Sequence, residues 1–252
     1  GESPDEITGS VRSMRSKSTK IKSRHSNIVD VVGTGGDGSH TFNISTTSAL
    51  VVSATGQPVA KHGNRSVSSS SGAADVLKEL GVNIEITPDK VGACLDEVGV
   101  AFLFAPLLHG AMKHAIGPRR ELSMRSIFNV MGPLTNPANA NTLLVGVYSE
   151  MLTELIANVL SKLGCKRAFV VHGLDGMDEI TLCSSTKVSE WNGEEVKTYN
   201  ISPEDFGFQK VESKELLGGE PKENAEITRK ILNGEKGAKR NVVLMNVSAA
   251  LL

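Results

Sequence analysis

The sequence is poor in cysteine and has no closely spaced cysteine pair. Its 252 residues include only three cysteines, Cys94, Cys165 and Cys183, with no CxxC spacing among them. An odd number at these positions argues against a disulfide framework and against a thiolate zinc site, and it favours a reducing compartment. We expect these residues to be buried free thiols.

Long apolar runs and an excess of one charge are also missing. No window approaches the roughly 20 apolar residues of a membrane helix, and the N-terminal stretch lacks the apolar core of a signal peptide. Lys plus Arg number 27 and Asp plus Glu 28, a formal net charge of -1, so no global positive field attracts nucleic acid or an anionic membrane. We expect a cytoplasmic protein with neither partner, or a plastid protein if a targeting segment has been removed.

Short β-branched runs alternate with stretches of helical spacing. The runs cover residues 28–32, 59–60, 100–104, 143–147 and 168–171, and the helical patterns cover 72–80, 88–98, 150–163 and 223–232. This alternation predicts an α/β fold with a mainly parallel sheet flanked by helices. Residues 187–199, with Asn192-Gly193 between two alternating runs, predict an added hairpin.

The two ends of the sequence differ from this core. Ser3, Pro4 and the apolar positions Ile7, Val11 and Met14 predict an N-terminal amphipathic helix, and the basic, serine-rich residues 15–26 predict a solvated linker. Residues 241–252 form an apolar run without a cap or polar tail, from which we expect a fragment of a longer chain.

Four glycines directly follow the first predicted strand. Gly33, Gly35, Gly36 and Gly38 allow the backbone to bring its N–H groups close to an anion, so the loop is a candidate phosphate cradle. A tight turn without a ligand is the alternative, and the spacing matches neither the GxGxxG fingerprint nor the P-loop.

Two further segments have the composition of anion sites. Residues 43–48, NISTTS, place amide and hydroxyl donors at the start of an apolar helix, where backbone N–H groups are free. Residues 61–72, KHGNRSVSSSSG, follow the next predicted strand with a cation and a hydroxyl-rich loop, although serine runs are also common in flexible linkers. Three such loops after successive strands imply a ligand with more than one phosphate group, at the carboxyl ends of the strands.

A pair of acids completes the candidate site. Asp178 and Glu179 follow the run at 168–171, and Asp37 lies in the glycine loop. Ligands with several phosphates commonly bring Mg²⁺, which binds one or two carboxylates together with substrate oxygens. We therefore expect Mg²⁺ at Asp178 and Glu179.

Five motifs occur in a fixed order along the chain: GTGGD at 33–37, NIST at 43–46, KHGNR at 61–65, RRELSMRSIFNVMGPLTNP at 119–137 and HGLDGMDE at 172–179. Together they resemble the anthranilate phosphoribosyltransferase family of tryptophan biosynthesis. The resemblance implies Mg²⁺-dependent transfer of the phosphoribosyl group of 5-phosphoribosyl 1-diphosphate to the amine of anthranilate, giving N-(5-phosphoribosyl)anthranilate and pyrophosphate. It also implies a homodimer.

The same resemblance assigns roles to individual residues. It implies phosphoribosyl diphosphate contacts at Gly33, Gly36, Asp37, Thr41, Asn43, Ile44, Ser45, Thr46, Lys61, His62, Gly63, Asn64, Arg65, Ser66, Val67, Ser68, Ser69 and Ala73. It implies anthranilate contacts at Gly33, Asn64, Arg119 and Pro133, and metal contacts at Ser45, Asp178 and Glu179. No catalytic residue is assigned with certainty; His62 is the candidate for an orienting role, and His109 and His114 are expected to be structural.

The sequence departs from the family pattern in two respects. Ala73 stands where the family commonly has a serine, which would remove one phosphate hydroxyl. Relative to the family, the chain also lacks much of the small N-terminal helical domain and a final helical segment. We therefore expect residues 1–23 to be part of that helical domain and its linker, and residues 24–252 to be the large α/β domain with a truncated C-terminal end.

Two other functions compete with the transferase. A pyrimidine nucleoside phosphorylase shares the fold and binds phosphate at a related glycine loop, and a non-catalytic ligand-binding paralogue is compatible with Ala73 and the missing termini. The KHGNR motif and the tandem acids Asp178 and Glu179 favour the transferase.

Overall fold

A seven-stranded sheet organises the chain, which the computed structural model describes at residues 1–65, 71–122 and 126–252, without the side chains of 116, 118–120 and 122. The strands are β1 (Val29–Gly33), β2 (Val59–Gly63), β3 (Val100–Phe104), β4 (Thr142–Gly146), β5 (Arg167–Gly173), β6 (Thr186–Trp191) and β7 (Val196–Ile201). Their order is β3-β2-β1-β4-β5-β6-β7. The first five strands are parallel and β6 and β7 are antiparallel, which confirms the predicted α/β class and the predicted hairpin.

Helices cover both faces of the sheet. They are α1 (Pro4–Lys17), α2 (Ile44–Ala54), α3 (Ala73–Glu79), α4 (Pro88–Val98), α5 (Ala105–Leu108), α6 (Lys113–Leu122), α7 (Phe128–Met131), α8 (Leu152–Lys162), α9 (Pro221–Leu232) and α10 (Ala238–Leu251), with 3-10 turns at Gly110–Met112, Gly132–Leu134, Pro203–Phe206 and Ser213–Leu216. One apolar cluster joins the sheet to α2 and α10, and another joins it to α1 and α8. Strand residues such as Val31 and Val170 are fully buried because helices cover both faces.

The N-terminal helix begins as its sequence predicts. Ser3 and Glu6 form a capping box, and Ile7 and Val11 are buried against the sheet domain. Most residues at 15–26 are exposed, as expected of a solvated linker, although the first three belong to α1. The Ile21 side chain is buried, its amide donates to Pro137 O at 3.1 Å, and the Thr19 amide donates to Leu108 O at 2.8 Å. The segment is polar in composition but pairs its backbone with the domain, and the domain boundary at residue 23 stays a prediction.

Two absences in the described residues bear on the early expectations. No helix there is long and apolar enough to span a membrane. All three cysteines are free thiols, as expected, but only Cys165 is fully buried and Cys94 and Cys183 are half-buried.

Candidate active site

The glycine loop turns sharply at the carboxyl end of β1. Gly35, Gly36 and Gly38 have φ angles of 66°, 76° and 73°, in the left-handed region that favours glycine. The loop lies against the segment that carries the two acids, because the Gly35 amide donates to Asp178 Oδ2 at 2.7 Å. Gly33 is equally constrained, since a Cβ there would lie 2.5 Å from the same carboxylate oxygen.

Asp37 closes the other side of this contact. Its Oδ2 accepts the Asp178 amide at 3.3 Å and the hydroxyl of Ser39. The structure therefore brings together the glycine loop and the acid pair, which are separated by 141 residues at this contact.

The start of α2 contacts Glu179, the second acid of the pair. The Ser45 amide donates to Glu179 Oε1 at 3.1 Å, and Lys61 Nζ stands 3.5 Å from the Ser45 hydroxyl oxygen. Lys61 and Glu179 are both buried. The three predicted metal contacts therefore lie close together, beside Lys61; they are Ser45, Asp178 and Glu179.

Charge in this region is unbalanced toward carboxylate. Burial, and then the charges of Glu179 and Asp37, raise the pKa of Asp178 well above its usual range. Burial and Asp37 also raise the pKa of Glu179, although Lys61 opposes this. Burial lowers the pKa of Lys61, against the attraction of nearby acids. Crowded buried carboxylates with raised pKa values form a site that a cation would stabilise.

The remaining residues of the NIST segment divide into two kinds. Asn43 is the N-cap residue of α2 but its side chain makes no capping bond; its Nδ2 donates to Ser71 O at 3.1 Å, and its Oδ1 accepts from Asn224 Nδ2 at 3.0 Å. Ile44 is a core residue, so its side chain is not available to a ligand. Thr46 is buried, and its Oγ1 has no hydrogen-bond partner in the described part of the chain. An orphaned buried hydroxyl of this kind fits a missing ligand.

His62 forms a buried pair that the sequence does not suggest. Its Nε2 lies 3.1 Å from Nε2 of His109, so one ring donates to the other, and which one donates depends on the tautomers. Burial, with His109 and Lys61, lowers the pKa of His62 to about 3. His62 is therefore neutral at physiological pH.

The other predicted diphosphate contacts lie in loops or at the ends of helices and strands. Thr41 forms an isolated bridge with Leu217, Gly63 ends β2, and Ala73 begins α3. Asn64 and Arg65 are exposed, and the Arg65 guanidinium lies 3.4 Å from Glu85 and 3.8 Å from Asp75. Ser66, Val67, Ser68 and Ser69 lie outside the described residues.

The residues predicted to bind anthranilate are described only in part. Arg119 lies in α6, and its side chain is outside the described part of the structure. Pro133 is buried in the 3-10 turn that follows α7. A cavity of about 240 Å³ between α1 and the start of α6 is lined by Met14, Lys17, His109 and Phe128 among others.

Comparison with known proteins places these features in one family. The family "Glycosyl transferase family, a/b domain" matches residues 25–252. The chain is 56% identical over 253 residues to anthranilate phosphoribosyltransferase of Desulfosudis oleivorans, covering 100% of this chain and 75% of that protein. It is 55% identical to the protein of the same name from Acetivibrio thermocellus, covering 100% of this chain and 73% of that one. The chain belongs to the anthranilate phosphoribosyltransferase family.

Solved structures agree with this membership. The anthranilate phosphoribosyltransferase of Thermus thermophilus superposes with a TM-score of 0.95 at 42% identity, covering 100% of this chain and 75% of that one. The Saccharomyces cerevisiae enzyme, in complex with PRPP and Mg, superposes with a TM-score of 0.88 at 31% identity, covering 98% and 69%. The predicted pentosyltransferase is confirmed, and neither the nucleoside phosphorylase nor the non-catalytic paralogue is supported.

Two buried polar residues of this family member were not predicted from the sequence to lie near the site. Asp30 and Asn136 are fully buried, and Asn136 Nδ2 donates to Asp30 Oδ2 at 2.7 Å. The available signal was a charged residue inside the apolar run at 28–32, where an unpaired charge would be costly.

Proposed function

We propose that this chain transfers the phosphoribosyl group of 5-phosphoribosyl 1-diphosphate to anthranilate, with Mg²⁺, through the residues gathered at the carboxyl ends of β1, β2 and β5. The observation that carries the proposal is the convergence of the glycine loop, Ser45 and Lys61 on the acid pair Asp178–Glu179. The sequence separates these groups widely, and the fold of a family member brings them to one point.

The diphosphate would be bound mainly by backbone and hydroxyl donors. The loop from Gly33 to Asp37 is exposed at Gly35 and Gly36, and Thr46 offers a hydroxyl that has no partner among the described residues. Lys61 supplies positive charge from a buried position, where its electrostatic effect on a phosphate is larger than in water. We include the exposed residues Asn64 and Arg65 in this site.

The acids fit Mg²⁺ by the chemistry of their donors. Among the described residues, no group of three or more His, Cys, Asp and Glu side chains is placed to hold a metal ion by itself. Asp178, Glu179 and the Ser45 hydroxyl would supply hard oxygen ligands, and substrate phosphates would supply others, which is the arrangement that Mg²⁺ commonly takes. When bound, Mg²⁺ supplies positive charge that stabilises the leaving pyrophosphate.

The chain contributes to the transfer by placing the two substrates. The amine of anthranilate is already unprotonated at neutral pH, so a strong base is not required. His62 orients neighbouring groups and does not accept the proton, because burial beside His109 and Lys61 lowers its pKa to about 3. Arg119 would pair with the anthranilate carboxylate, and Pro133 would line the slot for its ring.

Homodimerisation and a cytoplasmic location belong to the same proposal. The resemblance of the motifs supports the first. The three free thiols, in a chain whose described residues hold no disulfide, support the second.

A titration of turnover against Mg²⁺ tests the proposal. Anthranilate consumption is followed by its fluorescence, in the wild-type protein and in the double variant Asp178→Asn with Glu179→Gln. The substitutions keep side-chain size but remove two charges, so we expect turnover at saturating substrates to fall by at least about 100-fold. By linkage, Mg²⁺ and diphosphate should raise each other's affinity by one factor in the wild type and lose this coupling in the variant.

A matched control uses the hairpin turn. Glu194→Gln with Glu195→Gln also neutralises two adjacent acids, both exposed and remote from the glycine loop. It should leave the Mg²⁺ dependence unchanged. Equal Mg²⁺ dependence in the wild type and the Asp178/Glu179 variant would overturn the metal assignment, and no product from the wild type would overturn the proposed function.

A further inference from the structure

The sheet has an interruption between β1 and β2. Among the described residues, these strands pair only at Val29 and Val59, whereas β1 pairs with β4, and β2 with β3, at five positions each. Val29 N–H donates to Pro58 O at 2.9 Å. Continuing this parallel ladder would join Val31 N–H to Ala60 O, and His62 N–H to Val31 O.

Two side chains take the place of that next pair of bonds. Ala60 O accepts from Asn136 Nδ2 at 2.8 Å, and His62 N–H donates to Asp30 Oδ1 at 3.2 Å. We call this arrangement, in which Asp30 and Asn136 also bond to each other, the Asp30–Asn136 bridge.

The bridge fixes three segments that carry proposed substrate contacts. β1 leads from Asp30 into the glycine loop, and β2 leads from the bonded His62 amide to Asn64. Asn136 Oδ1 accepts the Ala138 amide at 2.9 Å, which closes the turn that follows Pro133. Because side chains stand where the strands would otherwise bond directly, the glycine loop and the Lys61–Asn64 segment are held apart at their carboxyl ends.

Asp30 also supplies a negative charge that is not expected to bind a substrate or a metal ion. Three acids attract the buried Lys61, with Asp30 the strongest, followed by Glu179 and Asp178. The latter two are the proposed metal ligands, whereas Asp30 is fully buried among protein donors. Ionised Asp30 therefore attracts Lys61 without being a proposed ligand of substrate or metal.

We propose that Asp30 and Asn136 are positioning residues, which hold the diphosphate loop and the Lys61–Asn64 segment at the separation where the two substrates react. This inference rests on the proposed function. It goes further by assigning the reactive geometry to a bridge that touches neither substrate.

The test is a double variant that lets the ordinary ladder form. Asp30→Val places a β-branched residue in the strand, and Asn136→Ser keeps an acceptor for the Ala138 amide but cannot reach Ala60 O. A buried polar pair can often be replaced as a unit without loss of the fold, whereas removal of one partner leaves the other unpaired. Circular dichroism and the melting temperature establish that the variant is folded.

The expected signature separates turnover from binding. Because a misplacement of about 1 Å can cost about 100-fold in rate, we expect kcat to fall about 100-fold while the separately measured Kd of each substrate changes less than about threefold. Ser189→Ala with Thr198→Val is the matched control, since it removes a 2.8 Å side-chain hydrogen bond between β6 and β7. Its kcat should equal that of the wild type.

Each outcome decides the inference. A folded double variant with kcat within about threefold of the wild type overturns it, as does a joint loss of both substrate affinities. If the double variant does not fold, Asp30→Asn is measured instead: it keeps an acceptor for the His62 amide but sets its own amide against that of Asn136. It should lower kcat about tenfold at constant Kd, and an unchanged kcat overturns the inference. Product formation by the wild type is measured in the same assay, so failure of the proposed function is seen separately from failure of the bridge.

Discussion

Gly146 offers a steric test of how the acid pair is positioned, because it lies in β4 and is not a proposed substrate contact. A Cβ at this position would overlap the carbonyl oxygen of Asp178 and would lie 2.5 Å from its carbonyl carbon. Carbon atoms in ordinary contact stand about 3.5 to 4.0 Å apart. Because the carbonyl oxygen lies even nearer than the carbon, Gly146→Ala must move the Asp178 backbone by more than about 1 Å, since strand β4 is fixed by pairing on both sides.

The displacement predicts separate effects on stability and on turnover. Overpacking a well-packed site costs about 1 to 3 kcal/mol, so the protein should remain folded with a lower denaturation midpoint. Moving the proposed metal ligands by more than about 1 Å should lower kcat at least about 100-fold and raise the Mg²⁺ concentration needed for half-maximal turnover. Guanidinium denaturation and a Mg²⁺ titration of turnover measure the two effects.

Gly9→Ala serves as the control for the same chemical change. Gly9 lies in α1 with no atom within 4 Å of the added Cβ, so this variant should gain about 0.5 to 1 kcal/mol of stability and keep its kcat. If Gly146→Ala retained both the wild-type kcat and the wild-type Mg²⁺ dependence, the acids would not depend on this packing, and the steric reasoning would be refuted.

Three further predictions address single side chains. Burial raises the pKa of Asp30 from 3.8 to about 6. The stability that protonated Asp30 contributes is therefore present at acid pH and is lost as pH rises through the folded-state pKa. Relative to Asp30→Asn, the free energy of unfolding of the wild type should fall by about 2 kcal/mol between about pH 4.5 and about pH 7.5, and parallel pH profiles of the two proteins would contradict this. Ala73→Ser should tighten diphosphate binding by about 0.5 to 1.5 kcal/mol through one added hydroxyl, and weaker binding in calorimetry would show that the position is packed instead. Arg119→Lys should raise the KM for anthranilate about tenfold at saturating diphosphate, because lysine lacks the bidentate fork, while an unchanged KM would remove Arg119 from the carboxylate site.

The sequence was sufficient to predict features that depend on neighbouring residues. The β-branched runs gave β1, β3, β4 and β5 to within a few residues, and Asn192-Gly193 correctly placed the hairpin turn. The glycine loop and the start of α2 were also recognisable, because a phosphate site of this kind is built from consecutive backbone amides.

Features that depend on distant pairs could not be predicted in this way. Asp30 meets Asn136 across 106 residues and His62 meets His109 across 47, and neither pairing leaves a local pattern. The backbone pairing of the segment at 15–26 could not be predicted for a related reason. Its polar composition indicates solvent, and bonds such as Ile21 N–H to Pro137 O depend on a distant partner that side-chain composition does not reveal.

The interrupted pairing between β1 and β2 also divides the molecule by its cooperativity. On one side, β2 and β3 share a long ladder and a small apolar cluster that includes Leu77, Ile84 and Phe102. On the other side, β1, β4 and β5 form a continuous ladder covered by the two largest clusters. Because backbone pairing across this junction is limited to Val29 and Val59, we expect β2, β3, α3 and α4 to open at lower free energy than the rest. Native-state amide exchange would then show two classes of protection. The proposed substrates, bound across the junction between β1 and β2, would slow exchange on both sides of it.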